Sequence, residues 1–160
     1  MVIALALALS PKLLIADEPT SALDVVTQRQ ILTLIRNQVV QNGRSLIFIT
    51  HEIALLNGLV EEVAVMYSGE VVEQGKLEDV VFSPFHPYTE MLLSTILTVD
   101  SSPKGMLDFS NTLREKTVPI QGNACKYSNR CKYAFDRCTK ERPILKRVEN
   151  GRLVACHKYS

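Results

Sequence analysis

LLIADEPTSALD, Leu13 to Asp24, decides how this chain is read. An apolar run ends in two adjacent carboxylates, Asp17 and Glu18, followed by Pro19 and a small polar loop. Short continuous Val/Ile/Leu runs read as fully buried strands, and open α/β sheets bind ligands outside the carboxyl ends of their strands. Two acids at such an end can do different work. One can hold a hydrated magnesium ion, while the other orients and deprotonates a water that attacks a phosphate. A core strand running into an acidic turn gives the same local pattern, so the stretch alone leaves both readings open.

The residues downstream narrow the choice. SALD (Ser21 to Asp24) comes three residues after Glu18, and a long helical pattern then leads to a second strand, SLIFIT, ending at His51. That order resembles the ATP-binding subunits of ABC transporters: a Walker B strand, a D-loop and a switch histidine. SGEVVEQG (Ser68 to Gly75), HPYTEMLL (His86 to Leu93) and a four-cysteine tail are similar to the oligopeptide/dipeptide importer branch. A rival class, the DNA-repair ATPases that share the Walker B and D-loop pattern, is disfavoured by HPYT and that tail.

The resemblance implies roles for individual residues. Asp17 would hold magnesium through coordinated water, Glu18 would be the general base, and His51 would contact the γ-phosphate. Ser21 and Asp24 would communicate across a subunit interface. Each position also has a local reading: Asp17 as a cap of the following turn, Glu18 as a solvated acid beside Pro19, His51 as a polar strand terminus, Asp24 as a helix N-cap. Glu52 stands where relatives usually carry aspartate. His86, in HPYT, reads as structural.

The 160 residues suffice for one ordinary core, with 46% hydrophobic residues and no tryptophan. Net charge is +1 with charges scattered along the chain, which suggests neither nucleic acid nor an anionic membrane surface. The opening apolar run, Val2 to Leu9, has no basic flank and is far below the ~20 residues a spanning helix needs. It is expected as a buried helix ending at a Ser10-Pro11 turn.

No G-x-x-x-x-G-K-[ST] loop is present, and the 7 glycines are all isolated. Phosphate-loop ATPases need that loop's amides, lysine and hydroxyl to cradle the phosphates. A Q-loop and an LSGGQ-type signature are also missing. The expected fold class is therefore α/β: a partial P-loop NTPase domain (RecA-like, ABC type) lacking the P-loop strand, then a small irregular Cys-rich module. The expected divisions are 1–97, a linker 98–121, and 122–160. In the family's sheet the P-loop strand lies between the His51 strand and the next one, so both would face a gap.

The resemblance implies ATP with Mg²⁺ as cofactor in the complete subunit, and hydrolysis coupled to peptide import. The implied partners are a second ATP-binding subunit, membrane-spanning permease subunits and an external substrate-binding protein. The expected location is cytoplasmic, peripheral on the inner face of the cell membrane. The 160 residues by themselves are expected to be inactive. Two alternatives stand beside this: a non-catalytic remnant or metal-cluster module, and one half of a split ATPase completed by a companion chain carrying the Walker A half.

Local signals place the remaining elements. Asp24 can cap a helix running to about Asn42, stopped by Gly43, with Ile31, Leu32, Ile35 and Val39 as its buried stripe. Ser45 to Thr50 reads as a strand and Glu52 to about Leu59 as a short helix. Val63 to Tyr67 and Glu70 to Glu73 read as a hairpin around Ser68-Gly69. Leu77 to Phe82 reads as a helical turn or two. Pro87 can open a helix over Tyr88 to about Leu97.

Cys125, Cys131, Cys138 and Cys156 have the spacing C-x5-C-x6-C-x17-C. A cytosolic setting disfavours disulfides, and soft thiolates suit an iron–sulfur cluster or zinc. The absence of a C-x2-C knuckle favours [4Fe–4S] with zinc second, and the resemblance supports the cluster. Four reduced cysteines packing a small hydrophobic knot is the third reading.

Overall fold

Leu13–Asp17 (β1) and Ser45–Ile49 (β2) pair in parallel, with Leu13 opposite Ser45 and Asp17 opposite Ile49. Parallel neighbours need a long crossover, and the 17-residue helix Val25–Gln41 (α2) supplies it. In this computed structural model, which describes residues 2–8, 10–100 and 122–160, these elements belong to the first of two units, 1–60 and 61–160. A 3-10 turn over Ile53–Leu56 replaces the expected longer helix.

Both ends of α2 are set by their residues. Asp24 Oδ1 accepts the amides of Val26 and Thr27 at 3.0 Å each, so the first-turn donors are satisfied. At the other end Gly43 takes φ 57°, and the Arg44 amide bonds back to the Val39 carbonyl at 3.0 Å. That is the left-handed helix stop which glycine adopts without strain. Ile35 is the deepest residue of the stripe, and Ile31, Leu32 and Val39 are half-buried.

Two burial expectations are corrected. The β1 strand is not covered on both faces: Leu14 and Ala16 are buried, whereas Leu13 is 46% and Ile15 60% exposed. On β2 Ile47 and Ile49 are exposed as well. Successive strand residues point to opposite faces, so a two-stranded sheet covered on one side leaves this alternate row open to water. The helix Val2–Ala8 (α1) forms, but Leu5 is 76% exposed, because this short helix has too little around it to cover its apolar residues. The turn at Ser10 is present, with its amide bonded to Leu7 O.

Residues 61–160 are built on a separate four-stranded antiparallel sheet of order β3-β4-β6-β5. Glu62–Tyr67 (β3) and Glu70–Lys76 (β4) form the hairpin around Ser68-Gly69, both with positive φ (48° and 81°), the combination a tight two-residue hairpin requires. Lys146–Arg147 (β5) and Leu153–Val154 (β6) join it from the cysteine module, with Glu73 opposite Val154. Leu77–Phe82 (α3) and Pro87–Asp100 (α4) come after the hairpin, and Asp136–Lys140 (α5) lies in the cysteine module. Of the linker expected over 98–121, residues 98–100 belong to α4, and the remainder lies outside the described residues. Val65, Val72 and Val80 form the core, flanked by Val63, Tyr67, Tyr88 and Leu92. No helix among the described residues is long and apolar enough to cross a membrane.

A buried charge pair ties this unit together. Glu73 is 0% exposed, and its Oε1 accepts from the Arg152 guanidinium and, at 2.9 Å, from the Phe85 amide. Its Oε2 accepts the His86 amide at 2.9 Å. Arg152 also donates to Ser83 O at 2.7 Å and stacks over the Phe85 ring, 3.8 Å from its centre. Gly75 makes room for it, since a Cβ there would come within 2.8 Å of Arg152 Cγ. Removing one partner of such a pair leaves the other charge buried, at about 3–5 kcal/mol. Arg152→Leu is therefore expected to destabilise residues 61–160 by that amount in urea unfolding followed by tyrosine fluorescence. Arg152→Lys should recover less than half, because one ammonium cannot copy the fork to Glu73 and Ser83.

Candidate functional site

The parallel register of β1 and β2 brings the candidate residues to one end of the sheet. Asp17 closes β1 opposite Ile49, and the ladder continues one step further, with the Glu18 amide donating to Ile49 O at 2.9 Å. His51 lies two residues beyond Ile49. Its Nδ1 donates to Glu18 Oε1 at 2.9 Å, so groups 33 positions apart meet directly. Glu52 adds a second carboxylate, 3.9 Å from His51 Nε2.

Glu18 is bent out of the strand into the left-handed region, φ 41°. The Ser21 hydroxyl and amide both donate to its carbonyl, at 2.9 and 3.1 Å. Ser21 thus folds the loop back onto the residue that carries the acid. Asp24 is engaged elsewhere: besides capping α2, its Oδ2 accepts the Thr27 hydroxyl at 2.6 Å. That hydroxyl, with the Thr27 amide, holds the Asp24 carboxyl below the usual carboxylate range. Asp17 is exposed, and its carboxylate has no hydrogen-bond or ion-pair partner among the described residues. The structure therefore brings Glu18, His51 and Ser21 together beside Asp17, while Asp24 faces its own helix.

The charge on this end of the sheet favours a protonated imidazole. The hydrogen bond to Glu18 raises the His51 pKa above its ordinary value, helped by the charges of Glu18 and Glu52. Only Oε1 of Glu18 is occupied, so Oε2 remains able to accept a proton or a water.

The cysteines lie in residues 61–160. All four line one cavity of about 20 Å³, with His86, Tyr127 and His157 in the same wall. Burial raises the thiol pKa of Cys125 and Cys156, and pushes Cys131 up to about 11. Metal ligation needs thiolates at bonding distance around one centre. The donors are of the right class, and the space between them is that of about one water. Among the described residues no three His, Cys, Asp or Glu are placed to hold a metal ion. The arrangement seen therefore gives no support to the expected [4Fe–4S] cluster or to zinc as second choice.

His86 is 2% exposed and acts as the cap of α4: its Nδ1 accepts the Tyr88 amide at 3.1 Å. Tyr127 packs against its ring, centres 5.8 Å apart, and Tyr67, Tyr88 and Tyr127 pack on one another with ring centres 4.7–5.5 Å apart. Capping by a histidine was not legible from sequence, where Ser, Thr, Asp and Asn are the usual signals.

Residues 72–138 match the family described as oligopeptide/dipeptide transporter, C-terminal region. Over 99% of its length the chain is 40% identical to the oligopeptide transport ATP-binding protein AppD of Bacillus subtilis, covering 48% of that protein. It is 38% identical to the dipeptide transport ATP-binding protein DppD of Escherichia coli, over 98% of this chain and 47% of that one. For the oligopeptide transport ATP-binding protein OppD of Salmonella typhimurium the figures are 40%, 99% and 46%. Over the residues it spans, the chain belongs to the oligopeptide/dipeptide ABC-transporter ATP-binding family. It spans about half the length of the curated family members it matches.

Two titrations check this geometry. Glu18→Gln removes the charge beside His51, and the His51 pKa read from its ring protons by NMR is expected to fall; an unchanged value would show that the pair does not form in solution. Burial lowers the His86 pKa from 6.5 to about 4, and charging its Nδ1 would also destroy the cap. A depressed folded pKa contributes stability that is complete above 6.5 and lost as pH falls towards 4, by about 3 kcal/mol in all. His86→Asn keeps a capping acceptor and should flatten that acid limb in urea titrations between pH 7 and 4.

Proposed function

We propose that this chain is the Walker B, D-loop and switch-histidine portion of an ATP-hydrolysing subunit that drives import of oligopeptides or dipeptides. The observation that carries the reading is the 2.9 Å contact between Glu18 and His51 beside Asp17, at the carboxyl end of two parallel strands. Ligands of open α/β sheets lie outside such strand ends. The functions that AppD, DppD and OppD are named for point the same way.

Each side chain then has a task. The exposed carboxylate of Asp17 offers a hard oxygen ligand, the type magnesium takes through its retained waters. Magnesium, when bound with ATP, neutralises charge on the phosphates. Glu18 takes a proton from the attacking water at the oxygen that His51 leaves free, while the His51 ring contacts the γ-phosphate. Ser21 holds the Glu18 backbone, and the loop through Asp24 forms part of the surface presented to a second subunit. No step is routed through the cysteines.

Residues 1–97 act in this scheme as part of the ATPase domain, 98–121 as a connector, and 122–160 as an appended module. The partners are a second ATP-binding subunit, permease subunits and an external binding protein, with this subunit peripheral on the cytoplasmic face of the membrane. The open row of Leu13, Ile15, Ile47 and Ile49 supports a larger domain, since parallel sheets are ordinarily covered on both faces.

The test uses both lengths. The 160-residue chain is expected to show no ATP turnover. Fused to the portion of AppD that it does not span, it should gain Mg²⁺-dependent hydrolysis, which Glu18→Gln lowers by about 10²–10⁴-fold. Full activity in that variant would remove Glu18 from the reaction.

A further inference from the structure

His51 has little to hold it. Its side chain is 70% exposed, and its contacts are the two carboxylates, Glu18 at 2.9 Å and Glu52 at 3.9 Å. An exposed ion pair contributes about 0–1 kcal/mol and does not fix a freely rotating chain end. The placement must come from the backbone on either side of the ring.

On the N-terminal side the backbone is fixed by the sheet, because Ile49 O accepts the Glu18 amide at 2.9 Å. On the C-terminal side the fixing group is a side chain. Thr50 Oγ1 accepts the Glu52 amide at 3.0 Å and closes a hydroxyl turn across His51. Glu52 is also the residue that opens the 3-10 turn, with the Leu55 amide donating to its carbonyl at 3.2 Å. The backbone of His51 is therefore suspended between one ladder bond and one hydroxyl bond. Thr50 is half-buried beneath it, and its branched Cβ limits its rotamers.

We propose that Thr50 is a positioning residue: its hydroxyl, by holding the Glu52 amide, sets the backbone bend that delivers the His51 imidazole to Glu18. The proposal deepens the reading of the site given above. The His51–Glu18 contact joins two side chains of this chain, however, so it can be examined separately from ATP chemistry. Thr50 touches neither reacting group and acts only through the bend. A net hydrogen bond of this kind is worth about 0.5–1.5 kcal/mol, or roughly 2–10-fold in the population of the bent state.

The experiment is NMR on the full 160-residue chain in the absence of nucleotide, comparing wild type with Thr50→Val, Thr50→Ser and Glu18→Gln. Valine keeps the branched shape and removes the acceptor; serine keeps the acceptor. In Thr50→Val, Glu52 amide exchange should quicken by about 2–10-fold. The His51 pKa should lose more than half of the difference between wild type and Glu18→Gln, and Thr50→Ser should stay close to wild type in both. A folded Thr50→Val protein with the wild-type His51 pKa would overturn the proposal. Should that variant not fold, the wild-type Glu52 amide decides: exchange as fast as an unprotected peptide overturns it, and protection upholds it. Loss of ATP hydrolysis in the fused protein with the Thr50 result intact would count against the ATP reading alone.

Discussion

The register of two parallel strands is the constraint on which the candidate site depends. With Asp17 opposite Ile49, the residue after β1 and the second residue after β2 emerge at the same sheet end. A slip of one residue would send Asp17 and every other side chain of β1 to the opposite face. Burial of Leu14 and Ala16 on one side resists that slip, and the added bond from the Glu18 amide to Ile49 O locks the end where Glu18 and His51 meet. The site is thus specified by packing beneath it and by ladder bonds, and its charged groups contribute little to holding it together.

Residues 61–160 solve a different problem by electrostatics. Residues 122–160 hold ten Lys/Arg against three Asp/Glu, while 61–100 hold eight Asp/Glu against one Lys. Charges that read as scattered along the chain are therefore segregated by segment, and several pair across it. Lys126 and Arg142 meet Glu70 at 2.7 and 3.1 Å, Lys132 meets Glu90 at 3.3 Å, and Arg152 meets the buried Glu73. The exposed pairs are worth little singly. Their common sign still biases the cysteine module towards this surface, and the Glu73–Arg152 pair with its amide and stacking contacts fixes the orientation.

Much of this was legible in the sequence where signals are local. Asp24 and Gly43 bracket α2, Ser68-Gly69 turns the hairpin, and Pro87 opens α4. The meeting of Glu18 and His51 could be anticipated only through strand order and family likeness, since 33 residues separate them. The β4–β6 pairing could not. A strand of two residues has no periodicity to read, and Glu73 finds Arg152 79 positions away. Exposure of Leu5 and Ile15 escapes a sequence reading because an apolar run reports what a residue can bury, not what is there to cover it.

The backbone of Glu18, like that of Ser10, departs from local rules. A residue before proline is pushed towards extended conformations, yet Glu18 stands at φ 41°. The left-handed region costs an L-residue about 1–2 kcal/mol, and glycine would enter it freely. Three hydrogen bonds oppose that cost: the amide to Ile49 O, and the Ser21 amide and hydroxyl to the Glu18 carbonyl. At about 0.5–1.5 kcal/mol each they are enough to hold the bend. Both backbone polar groups of Glu18 are thereby committed, and its carboxylate is left projecting at the sheet end. The strained glutamate has its backbone fastened on both sides, which leaves its carboxylate to meet His51 at the sheet end.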